Sequence, residues 1–86
     1  MKIYNYKEKA NVIGPMIRNA RKKQKLSQES LAIKMQLEDV ELTQKAISRI
    51  EKQERFVTDF ELLALLKILK LDPSELSSLM DITDSF

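Results

Sequence analysis

The sequence predicts an all-α fold, a compact bundle of five helices, and three observations point there. Apolar residues recur at helical spacing along most of the chain. Each apolar stripe is preceded by a start signal: Gly14-Pro15, Ser27, Thr43, Thr58 and Asp72-Pro73. Beyond the first few residues no stretch reads as a strand, and the connections are short. With 86 residues, 43% hydrophobic and 33% charged, the chain suits one small globular domain that builds its core without a staple.

Residues 1–11, MKIYNYKEKAN, lack a helical period, and Ile3, Tyr4 and Tyr6 interleave with Lys2, Lys7 and Lys9. They read as a mobile basic arm or as a short extended segment laid on the core. The first helix starts at Pro15, a residue pre-set for a first helical position. Its inward stripe is Ile13, Ile17, Ala20 and Gln24, with Met16 beside it, while Arg18, Lys22 and Lys25 project away. Arg21 falls at the edge of that stripe, where a guanidinium needs a partner. Ser27 caps the second helix, Glu29 complements its dipole, and Leu31, Ala32 and Met35 form its packing face. Residues 36–42 read as a connection whose Leu37, Val40 and Leu42 plug the gap beneath the helices.

The third helix follows Thr43. At 100° per residue it places Gln44, Lys45, Ser48, Arg49 and Lys52 on one face and Ala46, Ile47, Ile50 and Glu51 on the other. An inward Glu51 is the counterpart of Arg21, so the two are expected to pair and tie the first helix to the third. Thr58 and Glu61 have the spacing of a capping box, and the LLALLKILK run behind them is apolar on nearly every side, which predicts the buried centre of the domain. Asp72 and Pro73 start the last helix, whose Leu76, Leu79 and Met80 are expected to close onto the core. In the tail, Ile82 and Phe86 are candidates for a dimer contact.

The outward face of the third helix carries cations, an amide and a hydroxyl, without an acid or a bulky apolar group. Those donors reach phosphates and base edges in a DNA major groove, although a solvated face has a similar make-up. Charge is also uneven. Residues 1–55 hold 13 Lys and Arg against 7 Asp and Glu, whereas residues 56–86 hold 2 against 6. One side is thus suited to a polyanion and the other is not.

The runs IGPMIRNARKKQKLSQESLA and TQKAISRIEKQERFVTDFELLALLKILKLDPSEL resemble the Cro/C1-type (XRE) helix-turn-helix family of transcriptional regulators. Its most specific marks here are Arg21 in a basic first helix, the L-S-Q-E-x-L-A opening of the second and the I-S-R-I-E end of the third. The resemblance implies a lambda-repressor-like domain over residues 13–80, with an arm at 1–12 and an acidic tail at 81–86. It implies a homodimer that acts, most simply as a repressor, on a two-fold double-stranded DNA operator. Gln44, Lys45, Ser48 and Arg49 would meet bases, and Gln28, Thr43, Lys52, Arg55 and Lys25 would meet phosphates. Arg21 and Glu51 would form an internal ion pair. Two features depart from the family: a longer turn between the second and third helices, and Gln53 and Lys70 where glycine is frequent, which should strain or lengthen helix ends.

Other classes fare worse. The chain has no Cys and no His, hence no disulfide, thiolate site, Ser-His pair or ordinary zinc site, and a lone Gly makes no phosphate loop. An enzyme, a metal or a cofactor is not expected. No uncharged run reaches the ~18 residues of a membrane span and no signal segment is evident, so a cytoplasmic protein is expected. The alternative is an antitoxin-like module that uses the same fold to bind a protein partner.

Overall fold

The computed structural model describes residues 8–83, with side chains through Met80. Five helices follow in order: α1 Gly14–Lys23, α2 Gln28–Leu37, α3 Gln44–Glu51, α4 Asp59–Leu69, and a last helix Pro73–Thr83 of the tighter 3-10 type. No strand is present among the described residues. The helices α3 and α4 each pack against both α1 and α2.

Local chemistry sets the starts. Ser27 Oγ accepts from the Ser30 amide at 2.9 Å, and Thr43 Oγ1 accepts from Ala46 at 3.0 Å. Thr58 and Glu61 complete a reciprocal box, in which Glu61 N–H donates to Thr58 Oγ1 and Thr58 N–H donates to the Glu61 carboxylate. These bonds satisfy amides that a helix start otherwise leaves unpaired. Before α1 the cap position holds Ile13, which cannot accept; Asn11 Oδ1 instead takes the Gly14 N–H at 2.8 Å.

The ends share one device. After α1 to α4 the chain turns through Lys25, Asp39, Gln53 and Lys70, with φ of 59°, 60°, 63° and 56°. Each turn is closed by paired backbone bonds, such as Lys25 N to Lys22 O and Leu26 N to Arg21 O, the Schellman pattern. Glycine adopts this left-handed conformation freely, whereas a residue with Cβ is strained by roughly 1 kcal/mol or more. The helix ends at Gln53 and Lys70 are therefore strained and not lengthened. The one glycine serves another purpose. At Gly14 a Cβ would lie 2.3 Å from the Ile50 carbonyl oxygen, so its absence lets α1 cross α3 with backbones nearly touching.

Ile17, Leu31, Met35, Ile47, Ile50 and Leu65 fill the centre of the core, one or two from each of α1 to α4. Three expectations need correction. First, α2 continues through Gln36 and Leu37, and Leu37 does not plug a gap: it is 79% exposed, because it lies two residues and about 200° round the helix from buried Met35. Leu42 fills that space and Val40 is half-buried. Second, α4 is not buried all round. It buries Ala64, Leu65, Leu66 and Leu69, but Phe60 and Leu63, one turn apart, are 75% and 64% exposed. Third, Leu76 and Leu79 pack on the core while Met80 is 66% exposed.

Of the basic N-terminal segment, residues 1–7 lie outside the described residues, as does the Phe86 contact and the side chain of Ile82. Ala10 and Asn11 are bonded to the domain. Ala10 N–H donates to Gln53 O, and the Asn11 amide donates to Ile50 O and Arg55 O at 3.1 and 2.7 Å.

Candidate nucleic-acid interface

The α3 helix is short and its two faces are sharply different. Ile47 and Ile50 are almost wholly buried, and Glu51 is buried beside them. Gln44, Lys45, Arg49 and Lys52 are exposed and Ser48 is half-buried. The Thr43 cap leaves Gln44 and Lys45 at the leading end, and the hydroxyl of Thr43, although used as an acceptor by Ala46, retains its own proton for an outside oxygen. Arg49 reaches only a long 3.4 Å contact with Glu54 O.

What holds this helix is a buried ion pair. Arg21 Nε donates to Glu51 Oε2 at 2.7 Å and Nη2 to Oε1 at 3.0 Å, a two-pronged pairing across 30 residues of sequence. A third donor, Nη1, bonds Leu26 O at 2.8 Å. Hydrogen bonding to Glu51 holds the Arg21 guanidinium above its ordinary value although burial opposes it. Gln28 joins the group, its amide donating to Glu51 Oε1 at 3.1 Å. An amide nitrogen has two hydrogens, so one remains for a ligand. Gln28 is also the first residue of α2, where backbone N–H groups lack intrahelical partners and the dipole favours an anion.

Arg55, expected at a phosphate, has partners within the domain. Its guanidinium binds Glu61 with both terminal nitrogens, at 2.9 and 3.0 Å, and also donates to Phe56 O. Burial alone would raise the Glu61 carboxyl, but hydrogen bonds from Arg55 and Thr58 outweigh it and hold the group below the usual value. Arg55 thus fastens the chain between α3 and α4, and Lys52 is an exposed cation directly after α3. Lys25 is exposed at the turn between α1 and α2.

One residue was missed at the sequence level. Arg18, assigned by helical phase to the outside, lines a cleft with Arg21, Gln28, Ser48, Glu51 and Lys52, where α1, the start of α2 and α3 converge. Its position one turn before Arg21 was the available signal. Among the described residues no group of three or more acidic, His or Cys side chains could hold a metal, and no helix is long and apolar enough to cross a membrane.

The chain's similarities to known proteins agree with this geometry. A family model described as helix-turn-helix matches residues 17–76, from within α1 to the start of the last helix. No curated protein and no solved structure gives a significant match.

Proposed function

Because the chain belongs to the Cro/C1-type helix-turn-helix family of DNA-binding regulators, we propose that it binds a specific double-stranded DNA operator with α3 in the major groove. The observation that carries this reading is the make-up of α3: an exposed row of Gln44, Lys45 and Arg49 on a helix whose other side is locked by Ile47, Ile50 and Glu51. Arg suits guanine and Gln suits adenine in that groove. Ser48 adds a shorter contact. Gln28, Thr43, Lys25 and Lys52 hold phosphates on either side, and Arg55 contributes mainly by fixing the segment after α3. The regulator acts as a cytoplasmic homodimer on a two-fold site, and represses by obstructing transcription.

Binding-site selection from random duplexes tests this directly. The expected product is an inverted repeat with half-sites about one helical turn apart. Affinity should fall steeply and linearly in log-log form as salt rises. Arg49→Ala should relax preference at one base position at a cost of about 1–3 kcal/mol; equal losses on operator and random DNA would take Arg49 out of the base-reading set. No measurable affinity for any duplex at low salt would end the reading. It would leave the second one, an antitoxin-like protein-binding module, for which exposed Phe60 and Leu63 on α4 are the supporting observation.

A further inference from the structure

We infer that Arg18 is a phosphate-clamping residue of the DNA interface, closing with Lys52 on one phosphodiester seated over Gln28 and Ser48; the inference rests on the DNA-binding reading above. The cleft joins three helices. Its two buried charges, Arg21 and Glu51, neutralise each other through their paired bonds. What remains at the surface is a cation from α1, Arg18, and a cation from the end of α3, Lys52, with no opposing acid among the other lining groups. Such a charge excess suits a single anion.

The neutral groups fit the same ligand. Glu51 fixes the Gln28 amide, leaving a hydrogen on the same nitrogen for an anionic oxygen. Ser48 supplies a hydroxyl, and the first backbone amides of the ten-residue α2 lie at the Gln28 end. Position identifies the anion as a strand phosphate. Ser48 and Lys52 lie on the same α3 face as Gln44, Lys45 and Arg49, so a duplex engaged by those residues sets the wall of its groove against the cleft. A guanidinium spans two oxygens of one phosphate where an ammonium meets one, which suits Arg18 to closing the site.

The test compares salt dependence of DNA affinity in the full chain for wild type, Arg18→Ala, Arg18→Lys and Lys23→Ala. Lys23 is exposed on the same helix but borders the groove toward α4. Arg18→Ala should weaken operator and random duplexes by the same factor and reduce the log-log slope by about 1, with the thermal midpoint unchanged. Arg18→Lys should restore the slope, and Lys23→Ala should leave it as in wild type. Wild-type binding with an unaltered slope in Arg18→Ala overturns the inference but not the proposed function; a wild type that binds no duplex overturns both. In a companion NMR titration, duplex should shift the Gln28 side-chain amide, and inorganic phosphate at the same phosphate concentration should not. Equal shifts from both would overturn the assignment to a DNA strand.

Discussion

The side of the domain where α1 crosses α3 and the side where α4 leads into the last helix are built to different tolerances. At the crossing stand the only glycine, a buried two-pronged ion pair and Asn11, which bonds two carbonyls around the end of α3. On the other side, α4 leaves Phe60 and Leu63 exposed and passes to a 3-10 helix whose Met80 is also exposed. The difference teaches where geometry matters. Constraint is concentrated beneath α3, as the proposed function requires, since a helix that reads bases must hold its angle and depth closely.

Four changes test that contrast, from the largest effect to the smallest. Glu51→Ala strands a buried guanidinium and releases Gln28. It should cost about 3–5 kcal/mol in denaturant unfolding, while exposed Lys52→Ala stays within about 0.5. Similar small losses for the two would show that the crossing is not the constrained region. Gly14→Ala forces a methyl against a backbone carbonyl that cannot swing aside. About 3 kcal/mol is expected, at the upper end of overpacking costs, with a loss of duplex affinity measured where the variant is still folded.

On the opposite side, Glu61→Gln weakens the Arg55 pairing and the capping box, and should cost about 1–2 kcal/mol near neutrality. The sign with pH follows from the lowered Glu61 carboxyl. Its contribution is complete above the ordinary glutamate value of the unfolded chain and is lost as pH falls through the lower folded-state value. The gap between wild type and Glu61→Gln should therefore narrow on acidification from pH 6 to 3; a constant gap would contradict an ionised, bonded Glu61. Lys70→Gly should instead raise stability by about 0.5–1 kcal/mol by relieving a left-handed residue, read as a higher unfolding midpoint. A lower midpoint would mean that Lys70 is not strained.

Much of the α3 side was legible in the sequence because its signals are local. Helical phase alone put Ile47, Ile50 and Glu51 inside and Gln44, Lys45 and Arg49 outside, and the polar residues at 27, 43 and 58 marked where helices begin. Arg21 and Glu51 could be matched because each was an ionisable residue stranded on a packing face. The same phase argument put Arg18 outside, where it is, but phase does not say which neighbouring helix comes alongside. It also failed for α4, where a nearly uniform apolar run offers no contrast from which to choose the covered side.

By itself, then, the sequence determined the number of helices, their starts and the two faces of α3, because side-chain period and cap bonds act over about four residues. Tertiary structure alone decided that Gly14 serves a close helix crossing. It also left Phe60 and Leu63 bare and brought Arg18 beside Ser48 and Lys52. Those outcomes depend on which groups meet once the chain has closed on itself, as Asn11 meets Arg55 across 44 residues. No local preference contains that information, because competing partners differ by less free energy than the packing of the whole core supplies.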